Sequence, residues 1–222
     1  MLSGFRGRQN FMSVVQNPVT GQMRKSFANV NTYVHRGQNV VSAKAFNRKD
    51  KNTEAQQAHR SGFKLLSDLN QSIGGFIETG FPVRPEKQSP YNYFMALNLP
   101  GAIDNSGDVP VIDYSLLQIT KGSLPAVVVN TATMTADGLK LECDSCVNYG
   151  TTVAADDVIT VLCKAKSGAL YFVRQPRGSE EQCTINLAIP AAARQNIEFV
   201  YAFALSADGK KASNTVYVPI NN

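Results

Sequence analysis

The chain has 222 residues, enough for one large or two small domains, and its 43 % apolar and 18 % charged residues suit a packed globular protein, which argues against a wholly disordered chain. Its net charge of +5 is unevenly held: the first 64 residues carry eleven Lys and Arg against Asp50 and Glu54, a local +9, which leaves −4 on the other 158. No apolar run approaches the roughly 20 residues of a membrane helix, and the opening MLSGFRGRQNF lacks the apolar core of a secretory signal, so a soluble or peripheral protein made and assembled in the cytoplasm is expected.

Residues 1–52 read as a basic, extended arm. Its apolar residues are scattered among Gln, Asn, Ser and Arg, too few to close a core. Asn17-Pro18 and Thr20-Gly21 punctuate one turn, and His35 to Asn39 a second, between the extended pieces 29–34 and 40–43. The predicted unit is a basic β-hairpin. Isolated two-stranded ribbons are marginal in water, so this one is expected to lie on another surface.

Residues 53–122 form a helical, linking region with strands near 109–120. Thr53 followed three residues later by Gln56 is a capping box, and apolar or small residues recur at helical spacing from Ala55 to Ile77. The pattern predicts a helix over about 54–79, with Gly74-Gly75 a point of either bend or continuity. Ser89-Pro90 opens a second helix, Ser as cap and Pro at the first helical position, which ends before Pro100-Gly101. From residue 109 the period becomes two, and strands are predicted at 109–114 and 116–120.

Short strands with turn chemistry between them continue at 127–129, 139–143, 158–163, 170–174, 183–189, 197–206 and 214–218. The last two are joined by Ala207-Asp208-Gly209-Lys210, a turn that needs positive φ at its glycine. Seven strands over about 100 residues predict an immunoglobulin-like β-sandwich across 123–222. The fold class is therefore α+β, mainly β, with an extended basic N-terminal arm or hairpin, two helices and a C-terminal sandwich.

Chemistry is sparse. Cys143 and Cys146 have the spacing of a zinc knuckle, but Cys163 and Cys183 form no second close pair and no His lies nearby. Cys143 and Cys163 end alternating apolar runs and Cys183 begins one, which puts all three on inward strand faces as small hydrophobes, with their thiols reduced. His35 and His59 stand apart from any Cys or carboxylate cluster, and Asp156-Asp157 before a strand reads as a solvated turn. No phosphate loop, nucleophile elbow or dinucleotide fingerprint occurs. Neither catalysis nor a metal or other cofactor is expected.

Several motifs in fixed order carry a resemblance that spans nearly the whole chain: Thr53 to Arg60 after a basic hairpin, Tyr91-Asn92 through Leu97-Asn98-Leu99, Ile112 to Ser115, Lys121 to Pro125, and Ala207 to Lys210 with Ser213-Asn214. The chain resembles an uncharacterised family of Bacteroidetes-type bacteria and their phages. Its basic ribbon and Thr-x-Ala-Gln-Gln helix are similar to small structural proteins of tailed phages, including auxiliary capsid proteins of the crAss-like group. The sequence departs from that family at Cys143, where members usually carry Trp, and in the loop from Cys146 to Ala155.

The resemblance implies a virion component, and it is the sparse chemistry of the chain that leaves no enzymatic activity to expect. The residues themselves leave two targets for the arm, whose cations alternate with aromatics. Arg6, Arg8, Arg24, Lys25, Arg36, Arg48, Lys49 and Lys51 could meet acidic surface on neighbouring capsid or portal-tail subunits while Phe5, Phe11, Phe27 and Tyr33 supply apolar contacts. The alternative is a bacterial protein that tracks the phosphates of nucleic acid with the same ribbon. A sandwich of this type is more often an interaction module than a DNA reader, which favours the assembly protein.

Overall fold

The computed structural model describes residues 12–15, 25–27, 29–35, 37–44, 52–107, 109–145 and 153–220. The chain divides into two compact units, Met1–Asn52 and Thr53–Asn222.

In the first unit, strands β1 (Met12–Val15), β2 (Lys25–Phe27), β3 (Val30–His35) and β4 (Gln38–Ala43) form one antiparallel sheet in the order β1-β4-β3-β2. The expected hairpin is its centre, paired from Val30↔Ala43 to His35↔Gln38 and turned at Gly37 with φ +82°. A further strand covers each edge of that hairpin. Edge N–H and C=O groups that a lone ribbon would leave to water are thereby paired, the physical gain of four strands over two.

The second unit begins with α1 (Glu54–Gly80). Both halves of the capping box form: the Gln56 amide donates to Thr53 Oγ1 at 3.4 Å and the Thr53 amide to Gln56 Oε1 at 3.2 Å. The helix runs unbroken through Gly74-Gly75. Two glycines cost about 2 kcal/mol of helix propensity. Burial of Leu66, Leu69, Ile73, Phe76 and Ile77 along one stripe, each contributing about 1.5–3 kcal/mol, outweighs that cost. Helix α2 (Pro90–Asn98) starts at the Ser89 cap, whose Oγ accepts from the Asn92 amide at 3.1 Å. Among the described residues no helix is long and apolar enough to cross a membrane.

Of the strands predicted at 109–114 and 116–120, the first is shortened to two residues and the second is not there. A two-residue pair, β5 (Ile103–Asp104) with β6 (Val111–Ile112), holds what is left of the first, and 116–120 has no strand partner. Leu117 and Ile119 are nonetheless buried while Leu116 is exposed. Alternation reported which side chains turn inward, but side chains instead of a ladder satisfy the backbone: Asn98 pairs with Gln118, and Thr215 Oγ1 accepts from the Ile119 and Thr120 amides at 2.9 and 2.8 Å.

Seven further strands follow: β7 (Val128–Met134), β8 (Gly138–Asp144), β9 (Val158–Ala165), β10 (Leu170–Pro176), β11 (Gln182–Ala188), β12 (Ile197–Leu205) and β13 (Val216–Tyr217), with an unpredicted turn of helix, α3 (Ala191–Arg194), before β12. They make two antiparallel sheets, β10-β9-β12-β13 and β11-β8-β7. The predicted turn after β12 carries Gly209 at φ +68°. Gly138 at the start of β8 has φ +149°, and a Cβ there would stand 2.1 Å from the Leu187 carbonyl oxygen, so only glycine fits.

Strands β9 and β12 are apolar on both faces, and the structure explains why. One buried cluster joins Ile159, Val161, Cys163, Val200, Ala202 and Ala204 to the three-stranded sheet. A second joins their alternate residues Leu162, Phe199, Tyr201 and Phe203 to α1 and α2. The order of layers is helices, four-stranded sheet, three-stranded sheet, and the middle one buries β9 and β12 between the other two while Phe172 and Tyr217 on its outer strands stay exposed. On β12 the smaller Val200, Ala202 and Ala204 face the other sheet and the aromatic Phe199, Tyr201 and Phe203 face the helices. The fold is thus mixed and mainly β, 38 % strand against 23 % helix among the described residues, in several antiparallel sheets.

Candidate functional site

Of the residues assigned to partner binding, Arg6, Arg8, Arg24, Arg36, Arg48, Lys49, Lys51, Phe5 and Phe11 lie outside the described residues. Lys25 and Phe27 sit on β2, an outer strand of the N-terminal sheet, in register with Thr32 and Val30. Tyr33 pairs with Val40 on the neighbouring strand, one residue out of phase with Thr32. Strand alternation therefore places Tyr33 on a different row of the sheet from Lys25 and Phe27. Tyr33 is 40 % exposed beside the buried Val40, and Val14 of β1 stands in the same row.

His35 and His59 are exposed, with no metal-ligating group of three or more His, Cys, Asp or Glu among the described residues. Asp156 is exposed, but Asp157 is not a solvated turn residue. It is buried, and its carboxylate accepts from the Ala154 amide at 3.0 Å, closing the turn that leads into β9.

Three polar constellations in the second unit were not predicted. Glu198 of β12 accepts from the Tyr114 hydroxyl on one oxygen and pairs with Lys164 of β9 through the other. Burial, with the Glu198 hydrogen bond, pushes the Tyr114 phenol well above its ordinary value, and burial does the same to Tyr201, whose hydroxyl donates to the Tyr114 carbonyl at 2.7 Å. This network joins the segment before residue 116 to the central sheet. A small cavity of about 140 Å³, lined by Arg194, Glu198, Phe199 and Tyr217, borders it.

A groove of about 440 Å³ runs between the end of α1 and the β12–β13 turn, lined by Glu78, Thr79, Thr160, Arg174, Leu205 and Ser206. The Arg174 guanidinium lies over the rings of Phe76 and Phe172, 5.8 and 5.7 Å from their centroids. The Thr160 hydroxyl is fully buried without a hydrogen-bond partner.

The third constellation is inside the sheet pair. Cys143, Cys163 and Cys183 are free thiols and buried, as the strand parity predicted. Cys143 and Cys183 occupy opposed positions of β8 and β11. Beside them Arg177 is fully buried, with Nη1 donating to Ser145 O at 2.9 Å, Nη2 to Pro125 O at 3.0 Å and Nε unpartnered. Register pairing across strands cannot be read from a single run of residues, so only the inward parity of each Cys was visible in advance.

Neither curated proteins nor solved structures include a match to this chain. One family model does match, over residues 21–219, a span that takes in most of the N-terminal sheet and all the strands and helices after it. By that match the chain belongs to the family described as a family of unknown function, DUF6266.

Proposed function

We propose that this protein is a non-enzymatic assembly component, a phage virion protein of the auxiliary capsid or head-tail type, that docks on neighbouring subunits through its basic N-terminal unit. One observation carries the reading: that unit is a single four-stranded sheet, and Val40 is its one buried apolar residue among the described side chains. A sheet needs a second layer against its apolar face, and this unit, with nine Lys and Arg against Asp50 for a net +8 over residues 1–52, is built to take that layer from an acidic partner. In the second unit the two facing sheets and their shared core support an immunoglobulin-like module, with helices added on one outer face. Such a body is an interaction scaffold.

Removal of residues 1–52 tests the proposal. The remaining unit is expected to keep its circular dichroism spectrum and cooperative unfolding, while its incorporation into particles, read by mass spectrometry of purified virions, is lost. Normal incorporation of the truncated chain would reject docking through this unit. Filter binding of both forms to DNA addresses the nucleic-acid alternative, which requires the full chain to bind much more tightly than the truncated one.

A further inference from the structure

The first opposed pair inside the β8–β11 ladder after Gln182↔Asp144 is Cys183↔Cys143. Both side chains face the core, Cys143 at 0 % and Cys183 at 9 % exposure. The Ser145 amide donates to Glu181 O at 3.0 Å and the Ile189 amide to Asp137 O at 3.2 Å, positions an even number of residues away on either side. By that phase Cys143 and Cys183 are a hydrogen-bonded pair, whose Cα atoms stand about 5.5 Å apart. A disulfide spans Cα separations of about 4.4–6.8 Å. The pair is thus placed for a cross-strand bridge with little backbone movement.

Arg177 supplies the second observation. A buried guanidinium is costly unless its charge is compensated, and its two hydrogen-bond partners are neutral carbonyls. Among the described residues it takes part in no ion pair. It grips Ser145, two residues from Cys143, and its field reaches both thiols. The hydrogen bond from Cys143, with the Arg177 charge behind it, draws the Cys183 thiol below its ordinary value, and the same bond and burial push Cys143 up. Cys163, without such company, is pushed up to about 11 by burial.

We propose that Cys183 and Cys143 are a redox-active dithiol, in which Cys183, the more exposed of the two, is the sulfur that meets the oxidant and Cys143 the thiol that resolves it into a cross-strand disulfide beside Arg177. Hydrogen peroxide serves as the oxidant. The Cys183 thiolate attacks one peroxide oxygen, the O–O bond breaks, and the leaving hydroxide takes a proton to become water. Cys183 is then a sulfenic acid. Cys143 gives up its proton as its sulfur attacks the Cys183 sulfur, the S–O bond breaks, and hydroxide leaves with that proton as a second water. Two electrons pass from the sulfur pair to peroxide.

The test uses the full chain in a Cys146→Ser background, so that the remaining neighbouring thiol cannot substitute. After peroxide at neutral pH, intact mass under denaturing, non-reducing conditions is expected to fall by the two hydrogens of one disulfide, with peptide mapping joining Cys143 to Cys183. Adding Cys143→Ser should leave Cys183 as a sulfenic acid trapped by dimedone, with Cys163 unlabelled. Arg177→Met is expected to slow Cys183 oxidation at neutral pH about fivefold for the first unit by which its pKa rises and about tenfold for each further one, since the thiolate fraction falls by those factors. If that variant fails to fold, the pH dependence of iodoacetamide alkylation in the parent background replaces it, with the Cys183 midpoint below that of Cys163. A Cys183 oxidised no faster than Cys163, or an absence of the 143–183 bridge while Cys183 is consumed, would overturn the proposal.

Discussion

The Asn98 side chain reads the backbone of Gln118 on both sides: its Nδ2 donates to the Gln118 carbonyl at 2.8 Å, and its Oδ1 accepts from the Gln118 amide at 2.7 Å. A second donation, to Phe94 O at 2.9 Å, ties the same amide to the last turn of α2. Asn98 is 1 % exposed, so water cannot replace these bonds. It fastens α2 to a segment that has no strand neighbour.

Replacement of Asn98 by Leu leaves a buried N–H and C=O unpaired, each at a cost of about 1–3 kcal/mol. The expected loss for Asn98→Leu is therefore about 2–6 kcal/mol, measured by urea denaturation of the full chain. A loss below about 0.5 kcal/mol, the range of ordinary surface substitutions, would show that this clasp is not structural.

Two glycines give opposite expectations. A Cβ on Gly75 would meet nothing within 4 Å, so Gly75→Ala is expected to stabilise by about 0.5–1 kcal/mol through better helix propensity. A Cβ on Gly138 would stand 2.1 Å from a backbone oxygen at a φ of +149°, so Gly138→Ala should destabilise by more than the gain at Gly75. Thermal melts of both variants beside the parent check the signs.

The buried Thr160 hydroxyl lacks a partner, and Val has nearly its shape. Thr160→Val removes an unsatisfied polar group, so stability should rise by about 1 kcal/mol. A fall of that size in chemical denaturation would mean that water in the adjoining groove satisfies the hydroxyl.

Alkaline pH should weaken the fold through Tyr114 and Tyr201. Both phenols ionise above their ordinary value in the folded chain, chiefly because burial disfavours the charged form. The unfolded chain ionises near pH 10, so their contribution is fully present below about pH 10 and is lost as pH rises beyond it. Of the eight tyrosines, these two are expected to resist the absorbance change of phenolate formation until the protein unfolds. Tyr201→Phe should reduce the steepness of the stability loss between about pH 10 and 12.

Much of this architecture is legible in the linear chain because it rests on local rules. Thr53 and Gln56 start α1, Ser89 and Pro90 start α2, and period-two runs mark β8, β9, β11 and β12, since capping, φ preference and strand alternation each act within a few residues. The inward placement of Cys143, Cys163 and Cys183 follows from the same parity. Tertiary structure decided what lies opposite each face. It carried α1 through Gly74-Gly75 by burying the residues around them, left 116–120 without a ladder because Asn98 and Thr215 satisfy its backbone, and set Cys143 against Cys183 beside Arg177. These outcomes depend on contacts between residues distant along the chain, whose free energy exceeds the propensity terms that a local reading can weigh.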